Sequence, residues 1–151
     1  QTYRRTLALS ETALGPEHPD LGYTLSNLGD LALQQGRLVE ARRASERAVA
    51  LFERAGTAEE IVAEARLVLV GVELAERRHT AAAALAERVI PHLQGNVPAR
   101  GNAHLLLAQA LWASGERPRA RQAATAALAD FQSAAKPEAI TEAAAWLRAH
   151  R

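Results

Sequence analysis

The sequence predicts an all-α protein, an α-solenoid of antiparallel helical hairpins with a C-terminal capping helix. Three observations carry that expectation. Alanine is abundant, β-branched residues are scattered and aromatics make up only 4% of the chain, so local preference runs toward helix nearly everywhere. Small and large apolar residues recur in the same order in three segments about forty residues apart. Glycines and prolines collect between those segments, where chain reversals belong. At 151 residues and 48% hydrophobic content, the chain can bury one continuous core, and a single domain over 1–151 is expected.

The elements follow in chain order. Residues 1–15 read as the second helix of a truncated repeat, Thr2 to Ala13, ended by the reversal Gly15-Pro16. The first full repeat spans 20–55. In it Leu25, Leu28, Gly29 and Ala32 lead to the turn Gln35-Gly36-Arg37, and Ala41, Ser45, Ala48 and Leu51-Phe52 follow. Residues 57–94 form the second, with Leu67, Val70, Gly71 and Leu74, a turn near Arg77-Arg78-His79, then Ala82, Ala86, Val89 and Ile90. Residues 97–134 form the third, with His104, Leu107, Ala108 and Leu111, the turn Ser114-Gly115-Glu116, then Ala120, Ala124, Ala127, Leu128 and Phe131.

Glycine inside a helix costs about 0.5–1 kcal/mol relative to alanine. Gly29 and Gly71 therefore call for a compensating close approach of two helices, with Gly29 and Ala41 marking the crossing. Thr57-Ala-Glu-Glu60 has the capping-box form and predicts a helix start. Asp20 is the expected cap of the helix after the loop at His18. Pro98, Pro118 and Pro137 each stand at the first turn of an alanine-rich run and read as helix starts. Residues 137–150 form the capping helix, with Ile140, Ala143, Ala144 and Leu147 on one stripe and Trp146 or Leu147 packing on the helix before.

The Leu-Gly pair, the turn glycine and the two alanines in this order resemble the tetratricopeptide repeat. The loop Gly15-Pro16-Glu17-His18-Pro19-Asp20 leading into Asn27-Leu28-Gly29 is similar to that of kinesin-light-chain-type repeats, with a period of about 42 residues. The second copy departs from the pattern in lacking a turn glycine and in having one residue fewer between its helices, and the third in carrying His104 at a large apolar position. The closing Trp146-Leu147-Arg148-Ala149-His150 resembles the end of tetratricopeptide regions that follow bacterial serine/threonine protein kinase domains, notably in myxobacteria. The resemblance implies a protein-interaction module within a bacterial signalling protein. All basic residues but Lys136 are arginine, which suggests a GC-rich bacterial genome, and the start at Gln1 without any methionine suggests a piece of a longer chain.

Composition narrows the chemistry. Eighteen basic and seventeen acidic residues nearly cancel and are interspersed, so nucleic acid is not an expected partner. No apolar run approaches the roughly twenty residues that cross a bilayer, so a membrane is not expected either, and a cytoplasmic location is. The chain has no cysteine. His18, His79, His92, His104 and His150 never pair at i, i+3 or i, i+4, so no metal site is expected, and no cofactor. There is no glycine-rich phosphate loop, His-Arg-Asp or Asp-Phe-Gly motif, or Gly-x-Ser-x-Gly elbow, and no enzymatic activity is expected.

The expected binding surface is the concave side, lined by the first helix of each hairpin. Its candidate residues are Tyr23, Asn27 and Asp30 in the first repeat, with Ser26 and Leu33 beside them. The second offers Val68 and Val72, with Leu69, and the third Asn102, Leu105, Gln109 and Trp112. Asn27 stands where the resemblance implies an amide that holds a peptide backbone; an ordinary solvated asparagine is the alternative. The apolar middle of this face should be covered by a helical peptide, by a second copy of the chain as a homodimer, or from within. Basic residues are sparse on it, so capture of a free C-terminus is not expected. The partner is a protein or peptide. A structural or dimerisation element and a small-molecule sensor are the rival readings.

Overall fold

The structure is a computed structural model that describes residues 2–151, with the side chains of residue 5 and of residues 7–151. The chain runs through α1 (Thr2–Leu14), α2 (Leu21–Gln34), α3 (Leu38–Arg54), α4 (Glu59–Ala75), α5 (His79–Val89), a 3₁₀ turn (Ile90–His92), α6 (Val97–Ala113), α7 (Arg117–Ser133) and α8 (Pro137–Ala149). There is no strand among the described residues. Each helix packs on the next, α2 on α3, α4 on α5 and α6 on α7, with α8 covering the last pair. In addition α2 touches α4 and α4 touches α6, so the first helices stack side by side as in an α-solenoid.

Five helices stop in the same way. The residue after the cap has positive φ, at Gly36 (70°), Gly56 (65°), Arg77 (60°), Gly115 (86°) and Ala135 (51°). Its N–H bonds the carbonyl three residues back, and the next N–H reaches five back, as in Arg37 N–H to Ala32 O at 2.8 Å and Arg78 N–H to Glu73 O at 2.9 Å. This is the Schellman closure, which pairs the carbonyls that a helix end leaves free. Arg77 and Ala135 adopt it without glycine, at the steric cost of a Cβ in the left-handed region. The connections after α2, α4 and α6 have the same length, so the second hairpin is not one residue short.

Two expected caps are absent. Helix α4 begins at Glu59 with Ala58 as its cap and no side-chain bond, so Thr57 and Glu60 form no capping box; the Thr57 N–H is already used in closing α3. Asp20 makes no cap bond either, and its own N–H donates to His18 Nδ1 at 3.2 Å. The side chain that does cap is Asn96, whose Oδ1 accepts from Ala99 N–H at 3.1 Å ahead of Pro98. Pro98, Pro118 and Pro137 all sit in first turns.

Counting from the turn residues Gly36, Arg77 and Gly115 gives the equivalences between hairpins. Ala41, Ala82 and Ala120 coincide, as do Ser45, Ala86 and Ala124, all fully buried. Gly29 coincides with Val70 and Ala108, not with Gly71. A Cβ on Gly29 would strike Ser45 Oγ and come within 3.3 Å of Ala41 O, the close crossing of α2 and α3. On Gly71 it would instead meet Leu33 Cδ2 at 2.5 Å, so that glycine serves the stacking of α4 on α2. A further small-large pair recurs. Gly22 lies under the Phe52 ring and Gly101 under the Phe131 ring, with Ala63 and Leu93 in the equivalent places.

The core runs along the stack. Leu21, Leu25, Leu28, Leu51, Phe52 and Val62 fill the space between α2, α3 and α4. Val70, Val89, Leu93, Leu107 and Leu111 pack with alanines further on, and Ala32, Ala41 and Val72 join the two parts. Arginines tie neighbouring helices. Arg42 of α3 reaches Glu73 and Glu76 at 2.9 Å each, and Arg78 donates to Glu73 at 2.5 Å. Arg100 of α6 holds both oxygens of the buried Asp130 on α7, and His104 Nδ1 lies 2.8 Å from the same carboxylate.

Candidate functional site: a groove across the first helices

Side chains of α2, α4 and α6 line a groove of about 540 Å³. Helix α2 gives Tyr23, Ser26, Asn27, Asp30 and Leu33; α4 gives Glu64, Leu67, Val68 and Gly71; α6 gives Ala99, Asn102, Leu105, Leu106 and Gln109. Phe52 and Ile61 edge it, and Glu142 of α8 stands at the far end. These residues are equivalent between hairpins. Tyr23, Glu64 and Asn102 share one position, Ser26, Leu67 and Leu105 the next, then Asn27, Val68 and Leu106, then Asp30, Gly71 and Gln109. A helix has one face per three to four residues, so three copies in register lay those four rows along one trough.

Seven of the sequence-predicted residues, Tyr23, Asn27, Asp30, Val68, Asn102, Leu105 and Gln109, line this groove. Leu105 is nearly buried and forms floor, not wall. Val72 and Trp112 lie elsewhere. Val72 has no exposed surface and packs with Ala32 and Ala41; taking Gly71 as the counterpart of Gly29 puts the second copy one residue out of register, and it is that slip which reads this core position as outward-facing. The same slip hid Leu67, which lines the groove. Trp112 is equivalent to the groove residue Leu33, but α8 covers it. Its ring meets Trp146 edge-on at 5.8 Å and His150 at 4.7 Å, and the Arg117 guanidinium lies 5.2 Å from its centre. Leu69 does not reach the groove. Counting from the left-handed turn residue Arg77, which the structure identifies, instead of from Gly71 brings in Glu64 and Leu67; Leu106 is in register with Asn27 either way and is passed over as an apolar residue.

The polar groups of the groove are largely unspent. Asn27, Asn102 and Gln109 make no side-chain hydrogen bond among the described residues. Ser26 Oγ is buried without a partner. Asp30 accepts from Gln34 Nε2 at 2.8 Å and Glu64 from Asn96 Nδ2 at 2.7 Å, both neutral donors. Tyr23 is half exposed and leans edge-on against Phe52 at 5.0 Å. Such a trough offers apolar contact together with unpaired donors and acceptors, the combination that holds a chain segment. Its lining contains no nucleophile paired with a base.

Outside the groove, the charged clusters are structural. Burial alone would push the Asp130 carboxyl up, but hydrogen bonds from Arg100 and His104 outweigh it, and the group sits below the ordinary carboxylate range. Glu73 is shifted the same way, its burial overcome by Arg78 and Arg42. No cluster of three potential metal ligands occurs among the described residues, and no described helix is long and apolar enough to cross a membrane.

No match is found among curated proteins. Over residues 1–54, which take in α1, α2 and α3 with the first wall of the groove, the chain is similar to the tetratricopeptide repeat family, whose model matches that segment.

Proposed function

We propose that the chain is a protein-interaction module that takes a peptide or a segment of a partner protein into the groove across α2, α4 and α6. One observation carries the reading: equivalent faces of three stacked helices converge on a single trough whose amides, Asn27, Asn102 and Gln109, have no partner among the described residues. The tetratricopeptide match over residues 1–54 supports it, since such repeats generally mediate protein-protein contact. The residues assigned to binding are Tyr23, Asn27, Asp30, Val68, Asn102, Leu105 and Gln109, joined by Glu64, Leu67 and Leu106. Repeats over 20–55, 57–94 and 97–134 within one domain belong to the same proposal, as does a place in a bacterial signalling protein next to a kinase domain, which the parent gene would test.

The test is a chemical-shift map with peptides selected on the chain from a phage-displayed random library. Backbone signals from the groove-lining positions of α2, α4 and α6 should move, and Tyr23→Ala with Asn27→Ala should weaken binding about tenfold at unchanged helicity. Shifts confined to the outer faces of α3, α5 and α7 would end the proposal.

A further inference from the structure

The charges of the groove are of one sign. Asp30, Glu64 and Glu142 are the only ionisable side chains in its lining apart from the Tyr23 phenol, and none of the three has a basic partner among the described residues. Arginine is plentiful, and Glu11, Glu17, Glu40, Glu46, Glu53, Glu59, Glu73, Glu76, Glu87, Glu116 and Asp130 each meet one. Among the described residues, the acids that meet none are Asp20, Glu60 and Glu138 outside the groove lining and Asp30, Glu64 and Glu142 within it. Most carboxylates are thus neutralised locally, whereas those facing the trough are left uncompensated over an apolar floor of Leu67, Val68, Leu105 and Leu106. Low-dielectric walls concentrate such a field and raise the local concentration of cations.

We infer that the segment this groove accepts is cationic and amphipathic, bringing arginine or lysine side chains to Asp30, Glu64 and Glu142 and apolar side chains to the floor. The inference rests on the groove being the binding surface and adds the chemistry of what fills it. An acidic segment would set like charges against one another in the trough, with no basic side chain to receive it.

Three fluorescein-labelled peptides, alternating Leu with Arg, Leu with Gln, or Leu with Glu, are titrated against the intact chain by anisotropy. The Arg peptide should bind roughly tenfold or more tighter than the other two. Asp30→Asn, Glu64→Gln and Glu142→Gln together should erase that advantage with helicity unchanged. Glu17→Gln, Glu46→Gln and Glu138→Gln, which remove the same charge outside the groove, should leave it intact. Equal loss in both triple variants means diffuse attraction to net charge and overturns the inference. Equal affinity for all three peptides, lost on Asn27→Ala with Gln109→Ala, overturns it while the groove reading stands. Absence of binding by any peptide overturns both. Self-association in light scattering that the groove triple variant abolishes would assign the trough to a second copy of the chain, and would also overturn it.

Discussion

The glycines inside helices face two kinds of neighbour, and substitution distinguishes them. At Gly22 and Gly101 a Cβ would come within 2.5 Å and 2.6 Å of a phenylalanine ring packed in the core. Gly22→Ala or Gly101→Ala should therefore cost about 1–3 kcal/mol through overpacking, read as a lower urea midpoint. At Gly71 the obstacle is the far end of the flexible Leu33 side chain. Gly71→Ala should be close to neutral, because the helix gains the propensity that glycine lacks while the leucine tip yields. Ser45 adds a coupled case: it is fully buried with Oγ unpaired, and that oxygen is what a Cβ on Gly29 would strike. Gly29→Ala should destabilise, and adding Ser45→Ala should restore most of the loss, a non-additivity that a double-mutant cycle measures. Arg77 shows backbone strain by itself. It is exposed, has φ of 60° and stands where Gly36 and Gly115 stand in the other hairpins. Arg77→Gly should stabilise by about 0.5–1 kcal/mol, since relief of the left-handed strain exceeds the added chain entropy.

Between elements, ion pairs lie over some of the apolar crossings, as where Arg42 of α3 meets Glu73 of α4 and where Arg100 of α6 meets Asp130 of α7. The α6–α7 pair is held by Arg100 on Asp130, with His104 alongside. Asp130→Ala leaves Arg100 without its counter-charge in a mostly buried place and should cost about 3 kcal/mol. Its acid dependence follows from the direction of the shift. The folded carboxyl titrates lower than in the unfolded chain, so its contribution is complete above the ordinary carboxylate value of about 4 and is lost as pH falls through the depressed folded value. Glu73, between Arg42 and Arg78, behaves likewise. Unfolding followed by circular dichroism from neutral to acid pH should show stability falling below about pH 4, and Asp130→Asn should flatten part of that fall. A neutral-pH midpoint unchanged by Asp130→Ala would show that the pair holds nothing.

For the whole molecule, the decisive distinction is between the face that stacks and the face that is left open. Val68 and Val72 stand one helical turn apart on α4, yet Val68 lines the groove and Val72 joins Ala32 and Ala41 in the core. Val72→Asp buries a charge with no partner and should unfold the chain or cost about 4 kcal/mol or more. Val68→Asp should leave the melting transition nearly in place. Equal effects from the two would mean that the groove is not open. At the C-terminal side, the Trp112, Trp146 and His150 rings pack together where α8 meets α6. That contact converts what would be a further groove position into an internal joint.

The sequence by itself determined the helical class, the turns at Gln35-Gly36-Arg37 and Ser114-Gly115-Glu116, the proline starts and the faces of α2 and α6 that open to the groove. These follow from local rules: propensity, the 3.6-residue period, and the backbone freedom of glycine. The tertiary structure alone decided the register of the second hairpin, and with it whether Val72 or Leu67 faces outward. A non-glycine turn residue and a glycine serving a different contact gave the sequence two misleading marks there. It also decided that Thr57 caps nothing and that Trp112 is covered. Each of these depends on which surface a neighbouring helix occupies, and a side chain's position along one helix does not encode what is packed beside it.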